Sequence, residues 1–289
     1  MSTDIARTSS RFRKSTRSSR ANPSATRSPL WTDLAEGLRR RRLWVNLAWK
    51  DIRSRYRRTV IGPFWTVLST GTLVAALGFV NSTLWHIDIS TYLPFFCAGY
   101  ISWLLFTNIL NESGPNLIAV ETTLKALPIP YSVFSFRLLV RNLIVFFHNL
   151  VIYIIVAVLF KVQLTASTLL LPVGLALALV NYLWISLILA AICARFRDII
   201  QLVANLSMIL FFVTPIFWQP SQLASVPVAQ FVLVDANFIY HLIDVVRTPL
   251  LGKTPAMLSF VYLSTSAVLG FTIASVFFRR FYNRIAYWL

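Results

Sequence analysis

Three histidines and ten carboxylates in 289 residues leave few places for proton or metal chemistry. His148 stands beside Asn149 in an otherwise apolar stretch, and a titratable group inside a bilayer is a functional candidate by default. Catalysis there would mean acyl or glycosyl transfer. No strong second group falls in the middle of another apolar run, so hydrogen bonding between helices is the plainer role. His241, Asp244 and Arg247 recur at every third position and can share a polar helix face turned to water, as a structural ion pair rather than a catalytic group. Gly252-Lys253-Thr254 ends like a phosphate loop, but the glycine that motif needs five residues earlier is Arg247, and Pro255 follows. HExxH, GxSxG and DxD patterns are absent, and Cys97 and Cys193 lie singly in apolar runs without metal-ligand spacing. The sequence therefore predicts no catalytic residue, no metal site and no cofactor held by this chain.

The chemistry that does repeat is aromatic and hydroxylic. Trp65, Ser69, Thr72, Ala76, Phe79 and Thr83 fall on one face of a helix, and Ser207, Phe211, Thr214 and Trp218 repeat the mixture further on. Two readings stand side by side. Small hydroxyl residues let helices pack closely, or the two faces line a channel in which flat rings meet sugar rings and hydroxyls exchange hydrogen bonds with them. Upstream, Arg53, Arg55, Tyr56, Arg57 and Arg58 gather where cytosol would meet acyl chain. Guanidinium groups there can chelate a lipid diphosphate or anchor ordinary phospholipid.

The elements that must carry these residues follow from composition. The chain is 57% hydrophobic and 13% charged, with 22 Phe, 10 Tyr and 9 Trp, and its mean hydropathy is +0.68. That is more apolar surface than one water-soluble core hides, which excludes a large soluble enzyme domain. The formal charge of +17 does not indicate nucleic acid, because 16 of the 27 Lys and Arg precede Ile61. Residues 1–28 form a Ser/Arg-rich tail with no apolar run to pack, and transit-peptide composition is the alternative reading of it. Residues 29–58 read as an amphipathic interface helix with Ser28 as cap, a stripe holding Trp31, Trp44 and Trp49, and the cations Arg39 to Arg42. Each cation near anionic lipid contributes about 1 kcal/mol.

Residues 59–289 then form a transmembrane domain with six spans, at 64–85, 92–113, 137–160, 168–193, 199–218 and 258–278. With the amino terminus inside, 24 of 27 cations face the cytosol, so both termini are cytoplasmic. The stretch 219–257 is punctuated by four prolines and carries ionisable residues, and is expected as short re-entrant helices at the outer interface.

Arg55-Tyr56-Arg57-Arg58-Thr59-Val60-Ile61-Gly62-Pro63-Phe64-Trp65 resembles the entry to the first span of the polysaccharide-exporting ABC-2 permeases. Pro94-Phe95-Phe96-Cys97-Ala98-Gly99 with Trp103, Leu124-Lys125-Ala126-Leu127-Pro128, Arg195-Phe196-Arg197-Asp198 and Pro215-Ile216 follow in the family's order. The resemblance covers about residues 31–285, and the Arg/Ser tail departs from it. It implies an all-α membrane protein working as a homodimer in the bacterial inner membrane, with two copies of a separate nucleotide-binding ATPase that holds ATP and Mg. It further implies coupling to that ATPase through Glu121, Lys125 and Pro128 and through Arg195, Arg197 and Asp198. The implied cargo is a lipid-linked polysaccharide, O-antigen before capsule or teichoic acid, entering near Arg55, Tyr56 and Arg58 and passing Trp65, Ser69, Thr72, Phe79, Ser207, Phe211, Thr214 and Trp218. Membrane lipids are the remaining partners. The competing readings are an ABC-2 permease for drugs or small lipids, a transferase using His148, and an ion channel; the last lacks an acidic ring or carbonyl filter.

Overall fold

The computed structural model describes residues 29–57, 62, 64–223 and 225–289, and every regular element among them is helical. The tail 1–28 and Arg58 lie outside the described residues.

The expected interface helix is two helices, α1 (Pro29–Arg39) and α2 (Arg41–Tyr56), broken at Arg40. The break lets two short faces dock separately. α1 buries Leu30, Asp33 and Gly37, whereas α2 buries Ala48 and Ile52. Trp44 Nε1 donates to the Gly37 carbonyl across the bend at 3.2 Å.

The first apolar run is α3 (Phe64–Leu84), which buries only the narrow stripe Thr70, Val74, Gly78 and Ser82. α4 (Ile89–Ser113) begins earlier than expected because Asp88 caps it, its carboxylate accepting from the Ser90 amide at 2.9 Å. It is the most enclosed of the long helices and packs on α3 and α6. After the short α5 (Glu121–Ala126), α6 (Ser132–Leu159) also starts a turn before the expected residue 137. Its cap comes from another element: the Asp33 carboxylate of α1 accepts from the Tyr131 and Ser132 amides, both at 2.9 Å. A carboxylate at a helix N-terminus satisfies amides that have no intrahelical partner and complements the helix dipole.

α7 (Leu171–Arg195) pairs with the last helix, α11 (Met257–Trp288). Between them in sequence, α8 (Asp198–Val213) stops five residues short of the expected end. Thr214 precedes Pro215, and proline forces the residue before it out of helical geometry; Thr214 has ψ 140°. Sixteen residues rise about 24 Å, less than the ~30 Å hydrocarbon layer. Among the described residues five helices are thus long and apolar enough to cross a membrane, or six if Pro227–Asp235 and Phe238–Leu250 are counted as one bent span. The outer segment contains α9 (Pro227–Gln230), a π turn over Phe231–Asp235 and α10 (Phe238–Leu250), with a 74° bend between Pro227–Asp235 and α10. α11 runs ten residues past the expected 278, because Phe278 and Ile285 continue its buried face and Trp31 of α1 stacks on its Phe271 at 5.7 Å.

In lipid, helices gain little from hiding apolar groups from one another, so close packing and interhelical hydrogen bonds decide the arrangement. Gly174 of α7 shows this: a Cβ there would stand 2.0 Å from the Val245 carbonyl oxygen of α10. Tyr92 and Tyr153 donate their hydroxyls to the carbonyls of Phe217 and Leu250, tying α4 and α6 to the outer segment.

Candidate functional site

Four groups of residues were expected to act. At the N-terminal end of α3, Tyr56 Oη lies 3.1 Å from Thr66 Oγ1. Arg55 is not a free guanidinium: its Nη2 pairs with Glu112 of α4 at 2.9 Å. Glu112 also receives Arg141 at 2.7 Å and Asn142 at 2.6 Å from α6, and Arg141 in turn meets Asp51 of α2 at 3.1 Å. Arg137 closes the set with two bonds to Asp51, at 2.6 and 2.7 Å. Three cations and two carboxylates therefore join α2, α4 and α6 where α3 begins. Sequence reasoning missed Asp51, Glu112, Arg137 and Arg141. The available signal was the rarity of acids: Asp51 interrupts a basic run, and Arg137 and Arg141 stand one turn apart on a single helix.

Along α3, the expected wall residues Trp65, Ser69, Thr72 and Phe79 are all exposed, Trp65 by 57% and Phe79 by 63%. The hydroxyls of Ser69, Thr72 and Thr83 donate to the carbonyls of Trp65, Leu68 and Phe79, four residues back. Their protons are thus used within the helix, while their oxygen lone pairs stay open. At α8 and just after it, Thr214 is turned into the protein, and Ser207 is largely buried with only its edge on the groove described below. Ser207 is buried within hydrogen-bond reach of Asn111 Oδ1, at 3.1 Å, and of the Val203 carbonyl, at 2.8 Å. Thr214 is fully buried and accepts from Asn237 Nδ2 at 3.3 Å. Both spend their polarity on packing, because a hydroxyl next to a neighbouring helix in lipid finds a protein partner. Trp218 Nε1 donates to the Phe212 carbonyl at 3.2 Å, and Phe211 stacks 5.6 Å from Phe217.

What α3, α4 and α8 enclose is an open groove of about 400 Å³. Tyr100, Trp103 and Phe211 give it aromatic walls, and Thr107, Asn111 and the edge of Ser207 give it polar atoms. The Trp103 and Phe211 rings are 5.6 Å apart. Tyr100 and Trp103 were not chosen from the sequence as wall residues, since α4 reads there as a uniformly apolar run.

Between α4 and α6, Lys125 pairs with Glu121 one turn away on α5. That bond, with the charges of Lys125 and Arg197, holds the Glu121 carboxyl below its usual value. Pro128 offers its carbonyl to Arg40 at 3.3 Å, and Arg195 lies 5.0 Å from the Phe196 ring and 5.3 Å from that of Trp288. Asp198 opens α8.

On α10, the face bearing His241, Asp244 and Arg247 is turned inward, which corrects the expected water-facing ion pair. All three are buried. Asp244 accepts from Ser259 at 2.7 Å and Thr248 at 2.6 Å. His241 lies 3.0 Å from Ser259 Oγ, and Arg247 donates to the Pro215 carbonyl at 2.7 Å with its guanidinium 4.4 Å from the Phe95 ring. The triad fastens α10 to α11 and to the chain after α8. His148 bonds the Ile144 carbonyl of its own helix at 2.7 Å rather than another helix. Among the described residues no group of His, Cys, Asp and Glu is placed to hold a metal ion.

The model of the family described as "ABC-2 type transporter" matches residues 42–251. The chain is also similar to the O-antigen export system permease protein RfbA of Myxococcus xanthus, 25% identical over 178 residues that cover 62% of this chain and 68% of that protein. Several apolar helices and a family match across more than half the length make this a multi-pass membrane protein, and it belongs to the ABC-2 type transporter family.

Proposed function

We propose that this chain is the permease subunit of an ATP-driven exporter for a polyprenyl-diphosphate-linked polysaccharide, O-antigen in the first instance. The observation that carries the reading is the pair of uncovered faces on α3 and α8, flanking a groove walled by Tyr100, Trp103 and Phe211. Rings offer apolar faces to sugars, while the few polar atoms are too weakly binding to hold a passing chain. The similarity to an O-antigen export permease supports the same cargo class.

Two copies of the chain face each other across α3 and α8, each subunit crossing the inner membrane six times with α8 and residues 214–218 as the fifth crossing. Both termini are cytoplasmic. Two copies of a nucleotide-binding ATPase, holding ATP and Mg, press on α5, Pro128 and the Arg195–Asp198 turn. The lipid diphosphate approaches Tyr56, Arg55 and Arg58, with Arg55 shared between Glu112 and the ligand, and α10 with its buried triad closes the outer end.

The test is to delete the gene in its host and compare surface polysaccharide with lipid-linked polymer retained inside. Loss outside with accumulation inside supports export, and the retained glycan identifies the cargo. Normal surface polymer overturns the polysaccharide reading in favour of small-substrate efflux. Loss without accumulation points to a step in synthesis.

A further inference from the structure

The bend between α1 and α2 forms an open concavity of about 950 Å³. Its lining is divided by chemistry. Leu38, Val45 and Ala35 supply an apolar floor, with Leu38 and Val45 among the exposed large hydrophobic residues, and Arg39, Arg41 and Arg42 supply three guanidinium groups. Among the described residues those three arginines have no hydrogen-bond or ion-pair partner. The nearest acid in sequence, Glu36, is taken by Arg40, whose second bond goes to the Pro128 carbonyl. Three like charges within four residues thus lie against apolar surface with no counter-charge among the described residues. Such an arrangement suits a ligand that brings anionic oxygens and an acyl chain together.

We infer that the α1–α2 elbow binds one anionic phospholipid per chain, its phosphate held by Arg39, Arg41 and Arg42 and the start of an acyl chain laid over Leu38 and Val45. Charge complementarity selects an anionic over a zwitterionic lipid. Position selects a resident phospholipid over the cargo. Thirteen residues of helix separate Arg42 from Arg55, about 20 Å of rise, and α1 docks on α6 and α11, away from the groove of α3 and α8. Trp31 and Trp49, both exposed, fit the same membrane interface. Because Arg40 and Pro128 are bonded, an occupied elbow braces the segment that follows α5. The site does not depend on the identity of the cargo.

The experiment uses the full chain purified in detergent and counts bound lipid by native mass spectrometry after addition of phosphatidylglycerol, with phosphatidylcholine of the same acyl chains as comparison. The expected result is one phosphatidylglycerol retained per chain, at least tenfold over phosphatidylcholine. The exposed triple change Arg39→Gln, Arg41→Gln and Arg42→Gln should lower that retention at least tenfold. Arg279→Gln, Arg280→Gln and Arg284→Gln together remove the same charge from α11 and should leave it within twofold. Equal retention of both lipids, or an equal loss in both triple variants, overturns the proposal in favour of diffuse attraction. Protection against thermal unfolding by inorganic phosphate alone would make it an ion site. Competition by a polyprenyl diphosphate would assign the elbow to cargo, and lipid release on adding the ATPase would assign it to that protein.

Discussion

Asp33→Asn should detach α1 from the start of α6 without disturbing the rest of the bundle. The carboxylate is 3% exposed and accepts three bonds, from the amides of Tyr131 and Ser132 at 2.9 Å and from Tyr282 Oη at 3.0 Å. A hydrogen bond to a charged acceptor is worth about 1.5–3 kcal/mol. Asparagine keeps one acceptor oxygen, which in the place of Oδ2 still serves Tyr131 and Tyr282, and turns an NH2 group toward the Ser132 amide, so that bond is lost and the other two become bonds to a neutral acceptor. Allowing for relaxation, the net loss is about 3 kcal/mol, which raises the population of the undocked state roughly 100-fold. Hydrogen exchange of peptides covering residues 128–135, measured on the protein in lipid nanodiscs at constant pH, reads that opening directly. Tyr282→Phe removes a single bond, about 1.5 kcal/mol, and should accelerate the same amides about tenfold. Acceleration below threefold in Asp33→Asn would show that Leu30 and the Ser132 hydroxyl hold α1 by themselves, and would refute the assignment of Asp33 as the cap of α6.

Gly174→Ala should unfold the contact between α7 and α10, since its Cβ meets the Val245 backbone rather than a movable side chain; a lowered melting temperature, with Gly71→Ala unchanged because its nearest neighbours are 3.9 Å away, checks this. Glu112→Gln leaves Arg141 facing Arg55 and should cost about 3 kcal/mol or less, given that Arg55 is 44% and Glu112 27% exposed. Protease cleavage within α2 reports it, and an unchanged rate would remove the network from any role in seating α2. The Asp88 carboxyl is held below 3.8 by its bonds to Ser90. A depressed folded value means that the cap is intact above the unfolded value and is lost only as pH falls through the lower folded one. Exchange at the Ser90 amide, corrected for intrinsic rates, should therefore be flat from pH 7 to 5; a rise within that range would contradict the capping geometry.

The apolar runs made the long helices legible in the sequence, and the cation count made the cytoplasmic side a definite expectation. Hydropathy reports which residues avoid water, and in a membrane protein that is nearly the whole chain. It therefore could not say that Ser207 and Thr214 face protein while Ser69 and Thr72 face outward, since all four sit in similar runs. The aromatic groove followed the same rule: Phe211 was visible by its spacing with hydroxyls, whereas Tyr100 and Trp103 became wall residues only once α8 lay beside α4.

Sequence alone determined an all-helical membrane chain, a basic amphipathic segment before it, an irregular outer segment after α8 and the absence of any catalytic motif. These rest on local quantities: run length, charge placement and proline positions. The tertiary structure decided the partners. Asp33 finds the amides of Tyr131 and Ser132 nearly a hundred residues away, Arg55 finds Glu112, and the His241–Arg247 face turns inward. A charged or polar group near lipid must be satisfied by something, and only the packing of distant helices determines which group is within reach.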